Sequence, residues 1–165
     1  MTQQGPHAQV VTVSDRAAAG TAPDRSGPLA VRLLRDAGFD CDDAVVVPDG
    51  ADTVARAVLD ACGAGARLVV TTGGTGIGPR DETPEGTERV LTRRLPGVME
   101  EIRRVATLEK PGGMLSRGLA GVVDGPGAAT FVVNLPGSTA AVESAMPIVL
   151  SVAGHVISQL DGGGH

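Results

Sequence analysis

The sequence predicts an open, doubly wound α/β fold, a three-layer sandwich with a mostly parallel sheet covered by helices on both faces. Three observations carry this. Strand-like apolar runs alternate with helix-period patterns through most of the chain. Those strand runs are apolar along their whole length, as in parallel sheets buried on both faces. The chain has 165 residues, whereas a closed (β/α)8 barrel takes about 250.

The elements follow in order. Gln9–Ser14 reads as a first buried strand. Ser26-Gly27-Pro28 opens a helix whose apolar face is Ala30, Leu33, Leu34 and Ala37, stopped by Gly38. Ala44–Val47 is the second strand, and Val54, Ala57, Val58 and Ala61 mark the face of the next helix, with Gly63 as its stop. Arg67–Thr72 is the third strand. Helices over roughly Pro84–Arg94 and Pro96–Glu109 each carry proline in the first turn. Ala120–Asp124 and Thr130–Asn134 are short strands about a Gly125-Pro126-Gly127 turn. A helix from Thr139 to about Leu160 closes the chain, with Val142, Ala145, Met146, Val149, Ala153, Val156 and Leu160 in one stripe; Pro147 is expected to kink or split it. The pattern implies one domain over residues 8–160, with residues 1–7 and 161–165 expected to fray.

Composition narrows the function. Phe39 and Phe131 are the only aromatics, so the core must be built from Val, Leu, Ile and Ala. A net charge of −5 argues against a nucleic-acid binder, which needs Lys and Arg to neutralise phosphates. Without aromatic platforms the chain is not a stacking reader of single strands either. Lys110 is the one lysine, so a phosphate site here must rely on arginine, backbone amides or metal. Cys41 and Cys62 lie outside any Cys-x-x-Cys pattern and read as reduced thiols, and His7, His155 and His165 have no zinc-ligand spacing. The first residues show no export signal and no apolar run reads as membrane-length, so a soluble, cytoplasmic protein is expected.

The chemistry points to strand ends, where open α/β sheets bind ligands. The third strand runs into residues 71–85, which hold four glycines within six residues (Gly73, Gly74, Gly76, Gly78) and then Arg80-Asp81. Glycine lets backbone approach a bulky anion and turn N–H groups toward it, and a nearby carboxylate suits the metal that such an anion brings. The loop is not a Walker A sequence, because no Gly-Lys-Ser/Thr follows, nor is it Gly-x-Gly-x-x-Gly. Ser14-Asp15-Arg16, Val47-Pro48-Asp49-Gly50 and Asn134-Leu135-Pro136-Gly137-Ser138 close the other strands at the same rim.

Structural roles compete at each position. Asp49 can cap the following helix, although Asp52 serves as well and leaves Asp49 spare. Thr83-Pro84 supplies a cap and first-turn proline, so Asp81 has no evident post beyond an Asx-turn. Ser138 is a natural N-cap, and a capped helix start behind Pro-Gly is also an anion site. Glu85 with Arg89, and Glu100 with Arg104, stand four apart and read as solvated ion pairs, not a basic patch.

Assembled, these segments resemble the MogA/MoaB-type family of molybdenum-cofactor biosynthesis, the molybdopterin adenylyltransferases. The resemblance runs over roughly residues 9–160 through Ser14-Asp15-Arg16, Asp24-Arg25-Ser26-Gly27, Val47-Pro48-Asp49, Thr71–Gly76, Arg80–Pro84, Leu115-Ser116-Arg117 and Asn134–Ser138. Ala22-Pro23 stands where relatives often carry an aromatic, and Thr139 where many have Pro. The resemblance implies a homotrimer that transfers AMP from Mg-ATP to the phosphate of molybdopterin, releases pyrophosphate and hands the product to a molybdate-inserting partner. By position, Asp49 and Asp81 would be the essential acids and handle Mg²⁺. Gly73, Gly74, Thr75 and Gly76 would hold the nucleotide, and Ser14, Ser116, Pro136, Gly137 and Ser138 would line the site. Two alternatives stand beside it: a molybdopterin-binding scaffold without catalysis, and a same-fold relative acting on another ligand, usually within a longer chain.

Overall fold

A computed structural model describes residues 4–164. Of the termini expected to fray, residues 1–3 and His165 lie outside the described residues. The chain runs β1 (His7–Val13), α1 (Asp15–Ala18), α2 (Ser26–Asp36), β2 (Asp40–Cys41), β3 (Val45–Val47), α3 (Ala51–Gly63), β4 (Leu68–Thr72), α4 (Thr83–Glu88) and β5 (Arg93–Arg94). It continues with α5 (Pro96–Glu109), a 3-10 turn (Pro111–Leu115), β6 (Ala120–Val123), β7 (Thr130–Leu135) and α6 (Thr139–Leu160).

The strands form one sheet in the order β2-β1-β4-β7-β6-β5, with β3 following β2 along the same edge of β1. Pairing is parallel from β2 and β3 through β1, β4 and β7, and antiparallel across β7, β6 and β5. Side chains alternate between sheet faces. Val10, Leu68, Val70, Phe131 and Val133 accordingly enter one core with α2, α5 and α6, while Val11, Val13, Val69 and Val132 enter a second with α3. Every residue of β4 and β7 is buried, which is why they carry apolar runs at residues 68–70 and 131–133, while the polar residues beside those runs are buried too. The expected layered architecture is present.

Several elements differ from expectation. The second strand, expected over Ala44–Val47, is β3, and a further short strand that the sequence reading did not anticipate, β2, precedes it, separated by residues 42–44 with Asp42 and Asp43 exposed. On α2 the buried face is Leu29, Ala30, Val31 and Leu34, while Leu33 is half-buried and Ala37 is exposed at the C-cap. The helix expected over Pro84–Arg94 stops at Glu88, and Arg93–Arg94 becomes an edge strand. Long-range pairing overrides the helical pattern there. Thr92 N donates to Val122 O at 2.8 Å and Leu95 N to Ala120 O at 2.8 Å. A Cβ on Gly121 would strike Arg93 O, so only glycine admits this approach.

Helix α6 passes through Pro147 without splitting. It is also long and apolar enough to cross a membrane by length and composition, contrary to the reading that no run approaches that length. Here Val142, Ala145, Met146, Val149 and Ala153 are buried in the core; Val156 and Leu160, read into the same stripe, are half-buried. The two expected helical ion pairs are replaced: Glu85 meets Arg117, Arg89 meets Asp52, and Arg104 meets Glu101 at 2.8 Å.

Candidate functional site at the carboxyl rim

The Gly-rich loop leaves β4 through two residues in the left-handed region, Gly73 at φ 94° and Gly74 at φ 67°, which side chains disfavour. Gly73 N donates to Leu135 O at 2.9 Å, tying the loop to the end of β7. Thr83 fixes the other side: its N–H donates to Gly74 O at 3.0 Å and its hydroxyl to Gly73 O at 2.9 Å. Thr83 is therefore a loop anchor, not the expected helix cap; Glu82 occupies the cap position of α4. The amides of Gly74, Thr75 and Gly76 meet no protein acceptor among the described residues. Successive unpaired N–H groups of this kind form an anion-binding concavity.

Asp49 reaches this loop from the β3–α3 connection. Its Oδ2 accepts from Asp15 N at 3.0 Å, and Asp15 Oδ1 accepts from Asp49 N at 3.0 Å. Arg80 forks onto both Asp15 oxygens at 3.0 and 3.1 Å and donates to Asp49 O at 3.1 Å. The other oxygen of Asp49 faces Gly74, where an added Cβ would lie 3.2 Å from Oδ1. Of the roles open to Asp49, helix capping is excluded: Gly50, at φ 134°, holds the cap position of α3, and Ala51 N is met by Glu82 Oε2 at 3.0 Å. Neither Asp49 nor Asp52 caps that helix.

Asp81 is held within its own loop. Its Oδ2 accepts from Gly78 N at 3.0 Å and would lie 2.8 Å from a Cβ placed on Gly76. The contact reaches three residues back, so it is not an Asx-turn.

Two cavities open at the rim. The first, about 410 Å³, is lined by Gly73, Gly74, Thr75, Gly76, Asp81, Ser116, Pro136, Gly137 and Ser138, together with the exposed side chains of Ile77 and Leu115. The second, about 500 Å³, is lined by Ser14, Arg16, Asp24, Arg25 and Ser26 and shares Gly73, Gly137 and Ser138 with the first. Between them the backbones nearly touch: a Cβ on Gly137 would lie 3.2 Å from Gly73 Cα. The structure thus brings Asp81, the Gly-rich loop, Ser116 and the Pro136–Ser138 turn to one chamber and Ser14 to its neighbour. Asp49 lines neither chamber and backs the loop at Gly74.

Two of the serines are also caps. Ser14 Oγ accepts from Ala17 N at 3.2 Å, starting the short α1, and Ser138 Oγ accepts from Ala141 N at 3.1 Å, starting α6. Asn134 is structural. Buried at the end of β7, it donates to Thr71 and Thr87 hydroxyls at 3.0 Å and accepts from Leu119 N at 3.0 Å.

The charges at the rim are ordered by these contacts. The Arg80 guanidinium beside Asp15 holds that carboxyl below its usual value, and Arg117 does the same to Glu85. Both cysteines are free; burial pushes the Cys41 thiol up to about 11 and raises Cys62 as well. Neither is an activated nucleophile. Among the described residues no three His, Cys, Asp or Glu cluster as a metal cage. Asp49 and Asp81 each commit one oxygen to a backbone amide and retain one. Such a donor set fits Mg²⁺, which takes one or two carboxylates and completes its shell with water and substrate phosphates.

Residues 9–155 match the family described as "Probable molybdopterin binding domain". The chain belongs to this family. It is 38% identical over 160 residues to a molybdenum cofactor biosynthesis bifunctional protein of Chlorobaculum tepidum, covering 97% of this chain and 50% of that protein. It is 37% identical to a molybdopterin adenylyltransferase of Pyrococcus furiosus, covering 90% of this chain and 87% of the relative. The crystal structure of the tungsten cofactor synthesizing protein MoaB from Pyrococcus furiosus superposes with a TM-score of 0.88 at 33% identity, covering 96% of this chain and 99% of that one. The chain spans about half the length of the bifunctional relatives it matches.

Sequence reasoning missed four contributors to the rim: Asp15 and Arg80 as the holders of Asp49, Glu82 on the α3 amide, and Thr83 on the loop carbonyls. Their neighbours along the chain carried no signal. All four act on partners nine or more residues away.

Proposed function

We propose that this chain is a nucleotidyltransferase of molybdenum-cofactor biosynthesis, moving AMP from Mg-ATP to the terminal phosphate of molybdopterin. In this reaction a phosphate oxygen of molybdopterin bonds to the α-phosphorus of ATP. The bond from that phosphorus to the β-phosphate bridging oxygen breaks, and pyrophosphate leaves. The observation that carries the reading is the pair of cavities meeting over Gly73 and Gly137, with unpaired loop amides and two carboxylates beside them. Two anionic substrates need such adjoining chambers, because the transfer is chiefly positioning and charge neutralisation.

The amides of Gly74, Thr75 and Gly76 would bind phosphate oxygens, and the α6 N-terminus at Ser138 would present further N–H groups. Asp49 and Asp81 would hold Mg²⁺, which supplies neutralisation of phosphate charge worth several kcal/mol at the transition state. Ile77 and Leu115 would give a heterocycle an aliphatic resting surface, since no aromatic side chain lines either chamber. We further propose that the protein works as a cytoplasmic homotrimer and passes adenylyl-molybdopterin to a molybdate-inserting partner; the name of the bifunctional relative is compatible with such a neighbouring step.

Incubation with molybdopterin, ATP and Mg²⁺ should release pyrophosphate in step with adenylyl-molybdopterin. Asp49→Ala and Asp81→Ala should fold, retain molybdopterin and lose turnover by about 100-fold or more. Normal turnover in both variants would overturn the mechanism, and molybdopterin binding without pyrophosphate release would make the chain a scaffold.

A further inference from the structure

Arg117 follows Ser116 of the cavity wall, yet its guanidinium turns away from the cavity and into the backbone of the Gly-rich loop. Its own N–H donates to Thr75 O at 2.8 Å. Nε donates to Gly76 O at 2.8 Å, Nη2 donates to Asp81 O at 2.8 Å, and Nη1 pairs with the Glu85 carboxylate. One planar group thus grips both ends of the segment from Gly76 to Asp81 and joins them to α4.

The segment has little else to hold it. Residues 77–80 are exposed, Ile77 by 74%. Within it the bonds are Gly78 N to Asp81 Oδ2 at 3.0 Å and Asp81 N to Gly78 O at 3.1 Å, and these bonds move with the loop. Arg80 reaches outward to the Asp15 carboxylate and to Asp49 O at 3.1 Å through a side chain that is itself 63% exposed, a weak tether. A glycine-rich, solvated turn with no apolar anchor pays its ordering entropy from fixed contacts at its ends.

The grip is itself well founded. Arg103 Nη1 donates to the carbonyls of Ser116 and Gly118 at 3.3 and 3.2 Å, bracketing Arg117. Gly118 is buried where a Cβ would meet Asn134 O at 3.0 Å and Met99 Cε at 3.1 Å, so this backbone is seated directly on the core.

We propose that Arg117 is a positioning residue that sets the Gly76–Asp81 loop and, through it, the Asp81 carboxylate. It touches neither chamber, so its effect passes entirely through the loop. Lysine cannot substitute, because one ammonium on a flexible stem cannot span acceptors that the rigid fork meets in a plane. Its catalytic consequence rests on the adenylyl-transfer reading; its effect on the loop does not.

The test pairs amide hydrogen exchange with kinetics on the full chain. In Arg117→Ala, the Gly78 and Asp81 amides should exchange about tenfold faster or more, with β4 and β7 amides unchanged. The kcat for adenylyl transfer should fall about 30-fold or more with KM for ATP within about threefold, and Arg117→Lys should recover less than about a third of the loss. Glu85→Gln, which leaves the carbonyl contacts intact, should stay within about twofold on both measures. If Arg117→Ala does not fold, Arg117→Gln takes its place, keeping one donor for Gly76 O. Unchanged exchange at Gly78 and Asp81, acceleration spread over the whole chain, or full rescue by lysine would overturn the proposal. A wild-type chain that releases no pyrophosphate would refute the adenylyl-transfer reading while the exchange arm still decides the role of Arg117.

Discussion

Asp49 and Asp81 flank the same glycine-rich loop but are held by different kinds of structure. Asp49 is locked by a reciprocal exchange with Asp15 across 34 positions of sequence, between the ends of two parallel neighbours, β1 and β3. Asp81 takes its bond from Gly78, three residues back, in an exposed turn. One carboxylate inherits the stiffness of the sheet; the other inherits the looseness of a loop, corrected by Arg117 at its base. In the proposed adenylyl transfer, which would admit, align and release large anions, this division would supply a fixed reference on one side and an adjustable member on the other.

The strongest way to break the arrangement is to strike the loop at Gly74, where Asp49 meets it. Gly74→Ala forces a side chain into φ 67°, against the Thr83 hydroxyl and 3.2 Å from Asp49 Oδ1. Adenylyl transfer should fall by about 100-fold or more, with urea denaturation showing about 1–3 kcal/mol of lost stability. A Gly74→Ala protein of normal activity would mean that the loop's backbone is not what aligns the two carboxylates.

A smaller effect should separate them. Asp15→Ala deletes the acceptor of Asp49 N and the exposed partner of Arg80 but keeps the Asp15 N–H on Asp49 Oδ2. The kcat should therefore drop about tenfold, while exchange at Gly78 and Asp81, whose loop loses only the weak Arg80 tether, stays within about threefold of the wild type. The same contact has a pH signature. Arg80 lowers the folded-state value of Asp15 below its unfolded value. The resulting stabilisation is therefore complete above about pH 5 and is lost as pH falls below about 4, through the lowered folded value. The difference in urea midpoint between wild type and Asp15→Asn should shrink over that interval, and a constant or growing difference would contradict the pairing.

The smallest expected change lies at Glu82, which joins the two regions by accepting from Ala51 N at the start of α3. Glu82→Gln keeps an acceptor but loses charge at a helix N-terminus, which should cost about 0.3–1 kcal/mol with turnover within about twofold. A larger kinetic loss would show that the acids are coupled through Glu82 and not held independently.

Much of this framework was legible before any coordinates. Proline, glycine and the i, i+3, i+4 pattern located α3 and α5, because those signals are local and the helices bury one face. The four rim clusters were recognisable because strand ends in a parallel sheet converge on one edge. Residues 89–94 misled: the helix ends before them, and Arg93 and Arg94 become strand only where Gly121 admits them to β6. Glu85 likewise had a plausible partner four residues on, in Arg89, yet its partner is 32 residues away in Arg117. Thr83 looked like a cap because its role in bonding Gly73 O depends on how the loop folds back. Local chemistry announced where the site lies; which side chain serves which neighbour was set by tertiary approach.

The near-contact of Gly73 and Gly137 has an evolutionary corollary. A ligand spanning both chambers crosses a saddle where the main chain of Gly73 and Gly137 nearly meets, with Ser138 the one side chain of the residues both chambers share. On the proposed function, either compartment could be remodelled for a different heterocycle or leaving group without disturbing that crossing. Such a partition would let a single small scaffold vary its ligands while the backbone between the chambers stays the same.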